Sequence, residues 1–169
     1  MKRRDFMHHS IFAGASVLAA SVANAAFLKK SNSVSDQPFH LNYAFHDGMF
    51  KNSAGKDFID QIQFGYERGF RAIEDNGMAK RPVDEQKKIG DKLAKLGMGM
   101  GVFVLDKGGN SANTLAAGKP EYIDIFLKGC RQAVEVSKRI NGKLTTVVPG
   151  DFQRDIPIGI QTGNVIEAL

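Results

Sequence analysis

GFRAIEDNGMAKRPVDEQKKIGDKLAKLGMGMGVFVL, residues 69–105, spells out one strand–helix–strand unit. Phe70–Glu74 reads as a strand. Pro82 suits the first turn of the helix that follows, because its missing N–H would go unpaired there in any case. Asp84 and Glu85 near the start of that helix, and Lys92 and Lys95 near its end, complement the helix dipole. Val83, Ile89, Leu93 and Leu96 form its inner face, and Gly97 is a stop. Met98–Leu105 is a nearly continuous apolar run, the signature of a strand buried on both faces.

The same unit repeats on either side. Phe39–Phe45 sets Phe39, Leu41 and Tyr43 against His40 and Asn42, a strand alternation. Asp57–Arg68 places Phe58, Ile59, Ile62 and Tyr66 at helical spacing before Gly69. Pro120–Ile140 is a long helix with a stripe of Ile123, Leu127, Cys130, Val134 and Ser137, ended by Asn141-Gly142. Leu144–Val148 reads as a fourth buried strand, and Gly163–Leu169 begins a fourth helix. Repeated βα units imply a parallel sheet with right-handed crossovers.

The joints are unequal. Helix-to-strand turns are short and marked by Gly69, Gly97 and Gly142, whereas His46–Gly55, Asp75–Arg81, Asp106–Gly118 and Pro149–Pro157 are long. Long loops after the strands are the habit of α/β barrels, whose sites are built from them. An open doubly wound sheet shares the alternation, and the residues alone leave both architectures open. Gly97-Met98-Gly99-Met100-Gly101 is not a dinucleotide loop: it runs into a strand instead of from strand to helix, so its glycines serve close packing.

Composition sets outer bounds. A hydrophobic fraction of 43% and a charged fraction of 24% are those of a soluble globular domain. Cys130 is the single cysteine, so no internal disulfide can form, and its place on the helical stripe makes it core packing and not a nucleophile. The net charge of +5 is scattered, with Lys2, Arg3, Arg4 and Asp5 supplying +2 of it. Such a surface predicts no nucleic-acid partner.

Residues 1–25 have the order of a secretory signal: basic Met1–Arg4, apolar Ile11–Val22, then Ala23-Asn24-Ala25. The apolar run, about 12 residues, is short for a membrane span. Arg3-Arg4-Asp5-Phe6-Met7 resembles the twin-arginine signal, with Lys2 where that pattern prefers Ser or Thr. The resemblance implies export in the folded state to a bacterial periplasm, with no stable membrane span after cleavage. Residues 26–38 read as a flexible linker, and residues 39–169 as the folded domain.

Four segments in order carry a second resemblance: Asn42-Tyr43-Ala44-Phe45-His46-Asp47-Gly48-Met49-Phe50, Gly69-Phe70-Arg71-Ala72-Ile73-Glu74-Asp75-Asn76-Gly77-Met78, Leu96-Gly97-Met98-Gly99-Met100-Gly101-Val102-Phe103-Val104 and Thr145-Thr146-Val147-Val148-Pro149-Gly150. Together they resemble the hydroxypyruvate-isomerase-like branch of the xylose-isomerase-type TIM barrels. The resemblance implies an α/β, (β/α)8 TIM-barrel fold, of which about the first four βα units are present. It implies an aldose–ketose isomerase or epimerase acting on a small sugar or hydroxy-keto acid through an enediolate. A divalent metal, Mg or Mn, is expected for such an enzyme, polarising the substrate oxygens.

In that family the metal ligands and catalytic glutamates lie after strands five to eight, so no catalytic or metal-binding residue carries over. The substrate-side wall does carry over, as His46, Glu74, Asn76 and the Pro149-Gly150 turn. For Glu74 the residues leave two roles open: orienting a substrate hydroxyl, or an internal salt bridge to Arg71 or a lysine. His46 could bond a substrate oxygen or its own backbone, and Asn76-Gly77 could be only a turn. Asp47, Asp106 and Asp151 share the same loops but are weak metal-ligand candidates. The expectation is an isomerase incomplete in this chain; the alternative is a non-catalytic half-barrel that binds a small sugar acid or pairs with another half as a homo-oligomer.

Overall fold

The computed structural model describes residues 37–169. The signal expected over 1–25, and the expected linker up to residue 36, lie outside the described residues. Within the folded unit the chain runs β1 (Ala44–His46), α1 (Lys51–Ala54), α2 (Phe58–Glu67), β2 (Ala72–Glu74), α3 (Val83–Leu96), β3 (Gly99–Met100), β4 (Val102–Val104), α4 (Pro120–Ile140), β5 (Leu144–Thr146) and α5 (Ile158–Ala168). Short 3₁₀ turns at Met78–Lys80 and Leu115–Ala117 sit in two of the strand-to-helix loops. Among the described residues no helix is long and apolar enough to cross a membrane.

Every ladder is parallel. β1 pairs with β2, β2 with β3, and β4 with β5. β3 and β4 are two halves of one extended segment hinged at Gly101, whose N–H donates to the Ile73 carbonyl at 2.8 Å while the Val102 carbonyl accepts from Asp75 N–H at 3.4 Å. The strands therefore lie side by side in chain order. Inward side chains step by two on each side of the hinge, buried Met98 and half-buried Met100 before it and buried Phe103 and Leu105 after it, but by three across it. That irregularity splits the ladder. The run alternates in burial, against the expectation of a strand covered on both faces.

One face of the sheet is packed. Phe45, Ile73 and Phe103 are wholly buried beside Ile62, Ile89, Leu93, Val136 and Ile140 of the helices. Consecutive helices lie next to one another, α2 on α3 and α3 on α4, while α5 packs on the Leu115–Ala117 turn. Along β1 and β2 the opposite face presents Ala44, His46, Ala72 and Glu74, none of them buried.

α3 has the expected limits. Gly97 caps it in the left-handed conformation (φ 64°) and its N–H returns to the Leu93 and Ala94 carbonyls. Val83, however, is exposed; the inner face is Gln86, Ile89, Gly90 and Leu93. α4 also has the expected limits, but its buried stripe is Phe126, Gly129, Ala133, Val136 and Ile140, one residue ahead of the expected one; Leu127 and Val134 face outward. The glycines explain the rotation. A Cβ on Gly129 would stand 2.5 Å from the Asp106 carbonyl oxygen, and one on Gly90 would stand 2.1 Å from that of Arg139. The helices dock through their smallest residues, because backbone can approach only there.

Three further expectations need correction. Of the Phe39–Phe45 stretch only Ala44 and Phe45 join the ladder, which runs on to His46; Phe39, Leu41 and Tyr43 are exposed, with the Phe39 ring edge-on to Tyr43 and Phe70. β5 is exposed at all three residues, because among the described residues it pairs only with β4 and no helix covers it. α5 starts at Ile158, right after Pro157, and not at Gly163.

Candidate functional site

β1 and β2 end together. The last rung of their ladder pairs His46 with Glu74. Both side chains stand on the face away from the helices, and His46 Nε2 lies 3.3 Å from Glu74 Oε2. Each is partly open to solvent, with side-chain exposures of 47% and 37%, so both can reach a ligand. Arg71, one partner that the salt-bridge alternative offered Glu74, is engaged elsewhere: its guanidinium donates to the Tyr66 and Phe70 carbonyls and stacks over the Tyr66 ring. Room for Glu74 comes from Gly101 on the adjacent strand, where a Cβ would sit 2.9 Å from Glu74 Cγ.

The residue after each of these turns to the other side, as strand alternation requires. Asp47 and Asp75 converge there on Arg81. Its Nη2 is 2.7 Å from Asp47 Oδ2, its Nε is 2.5 Å from Asp75 Oδ2, and its Nη1 meets Glu85 at the start of α3. The guanidinium also lies 5.1 Å over the Phe58 ring. Burial alone would lower its pKa, but the bonds to the three carboxylates outweigh burial and hold it above the ordinary arginine value. Arg81 was not singled out from the sequence. Its one local signal was Glu85 four residues on; Asp47 and Asp75 are brought to it only by the fold.

Buried glutamines order the same loops. Gln61 Oε1 accepts from the Gly48 and Phe50 N–H groups. Gln86 Nε2 donates to the Met78 and Arg81 carbonyls and its Oε1 accepts from Arg139. Asn76 lies exposed in the turn whose Gly77 N–H is held by Asp75 Oδ1 at 2.9 Å.

No protein-family model matches the chain, and no curated protein matches it.

Pro149 and Gly150 belong to a different contact. The Pro149 carbonyl accepts from Leu115 N–H, and Thr114 Oγ1 donates to the Asp151 carbonyl at 2.8 Å. Gly150 (φ +113°) presses against Thr114, where a Cβ would clash at 2.6 Å. The pair borders an apolar cleft of about 330 Å³ with Phe152, Ile158 and Val165. Of the five sequence-derived site residues, then, His46 and Glu74 are brought into contact, while Pro149 and Gly150 contact Thr114 and Leu115.

The donor set does not fit a divalent metal. Asp47 is spent on Arg81, and Asp106 accepts from Gly108 N–H and pairs with Lys80 at 3.7 Å. Among the described residues no three His, Cys, Asp or Glu side chains gather as a ligand set. Cys130 is half-buried and burial raises its thiol pKa, the opposite of an activated nucleophile.

Proposed function

We propose that this chain supplies the first four βα units of a (β/α)8-barrel isomerase domain of the hydroxypyruvate-isomerase-like kind, exported by a twin-arginine-like signal. Its substrate is a small sugar or hydroxy-keto acid, met at the His46–Glu74 pair. The pair carries the reading: two complementary polar groups at the C-terminal ends of adjacent parallel strands, on the face the helices leave open. Barrel enzymes build their sites at this position. Strand order supports the barrel over a doubly wound sheet: β5 lies beyond the β3–β4 segment, whereas a doubly wound sheet returns its third or fourth strand to the side of the first.

The chemistry is that of ligand placement. A His46 ring N–H donates to a carbonyl oxygen, and the Glu74 carboxylate accepts from an adjacent hydroxyl, so a 2-hydroxy carbonyl unit spans the two. The proton moved between carbons, and the metal expected to polarise the oxygens, call on groups other than those described. Titration calorimetry with hydroxypyruvate tests the reading. Saturable binding lost in both His46→Ala and Glu74→Ala supports it; absent binding, or binding indifferent to both, rejects it.

A second reading has its own observation. β5 is exposed throughout, with Leu144 at 64%, and the stretch before β1 exposes Leu41 at 64%. Two such half-barrels could pair edge to edge, since exposed parallel edges invite strand addition. A concentration-dependent dimer in sedimentation, lost on Leu144→Lys, would support pairing.

A further inference from the structure

We propose that Arg81 is the positioning residue of the His46–Glu74 pair, an inference that rests on the substrate-site reading above. The β1–β2 ladder ends at that pair, so beyond it side chains must set the spacing of the two strands. A half-exposed His–Glu contact contributes little by itself. The next residues, Asp47 and Asp75, are the ones that Arg81 joins, at 2.7 and 2.5 Å. One guanidinium thus acts as an extra rung on the helix side of the sheet, directly behind the open-face pair.

The rung is stiff for identifiable reasons. Arg81 keeps only 17% of its side chain exposed and Asp75 only 8%. Its planar fork fixes three acceptors in fixed directions, which an ammonium cannot do. The third arm, to Glu85, anchors it to the first turn of α3. Each aspartate has a further hold: Asp75 Oδ1 on Gly77 N–H, and Asp47 Oδ1 receiving Gln61 Nε2 at 3.4 Å. Without Arg81 the two strand ends would be set only by their separate loops.

The test compares the full chain with Arg81→Met, Arg81→Lys and Asp47→Ala, using the ¹⁵N shifts of the His46 imidazole and hydroxypyruvate affinity. Glu74→Gln provides the shifts of a His46 without its anionic neighbour. In Arg81→Met the His46 shifts should move toward those of Glu74→Gln, and affinity should fall about tenfold or more, as expected for a misplaced binding group. Arg81→Lys should fall between Arg81→Met and the unmodified chain. A folded Arg81→Met with unchanged His46 shifts and affinity overturns the proposal. Should Arg81→Met fail to fold, Asp47→Ala decides: a smaller displacement in the same direction supports positioning, and none refutes it. If the unmodified chain binds no hydroxypyruvate, the substrate reading fails, and the imidazole shifts alone still decide the role of Arg81.

Discussion

Gly101 lies directly beneath Glu74, and the space a methyl group would fill there is taken by the Glu74 side chain, 2.9 Å away at Cγ. The Ile73 carbonyl, at 3.2 Å, closes the other side. The glycine read from the sequence as a packing residue is therefore also the floor of the candidate site. Gly101→Ala should push Glu74 off His46 and lower stability by about 1–3 kcal/mol, the usual cost of an extra methyl in a filled space. Thermal unfolding and a crystal structure of the variant would check both effects.

Gly90 and Gly129 offer a sharper test of helix docking. Glycine to alanine inside a helix ordinarily stabilises by about 1 kcal/mol. Here the added Cβ would meet main-chain atoms at 2.1 and 2.5 Å, which cannot swing aside as a side chain could. Both Gly90→Ala and Gly129→Ala should lower the Tm. A rise for Gly90→Ala would mean that α3 and α4 do not approach as described, and a rise for Gly129→Ala that α4 does not lie against the Asp106 carbonyl.

These contacts also show how far the sequence could be read. The alternation of strands and helices, the limits of α3 and α4, and the left-handed cap at Gly97 all follow from local rules. The docking face of α4 did not. A hydrophobic stripe through Leu127 and Val134 looked better than one through Gly129 and Ala133, but close backbone approach rewards small residues, and that is a property of the neighbour. A site role for His46 and Glu74 is what the family resemblance implies; only their place at strand ends was legible from the pattern of strands and loops. Arg81 was not, because two of its three partners, Asp47 and Asp75, become neighbours only when β1 pairs with β2.

Cys130 should behave as a masked thiol. Burial raises its pKa above the ordinary value of 9.0. The unfolded chain therefore ionises first, and its extra loss of protons favours unfolding; the stability linked to this thiol is intact below pH 9.0 and is lost as pH rises through the folded-state value. Alkylation by iodoacetamide at neutral pH should be slower than for an unstructured cysteine peptide, and its pH midpoint should lie above the peptide's. A midpoint at or below the peptide's would contradict the burial described.

Lys107 should prove a loop staple. It is 2% exposed, and its ammonium donates to the Gly109, Asn110 and Ala112 carbonyls. Burial lowers its pKa despite the nearby Asp151. Lys107→Met strands those acceptors and should cost about 1–3 kcal/mol in denaturant unfolding, with faster amide exchange over residues 107–114. Unchanged exchange there would reject the role.

The central claim is that the open-face ends of β1 and β2 receive a small hydroxy-keto acid. Residue-resolved ¹⁵N NMR during a hydroxypyruvate titration tests it most directly. The account predicts saturable shifts concentrated on residues 44–48 and 72–76 and on Gly101, abolished by Glu74→Ala. Shifts that are absent, or that gather instead around the cleft of Phe152, Ile158 and Val165, would contradict it.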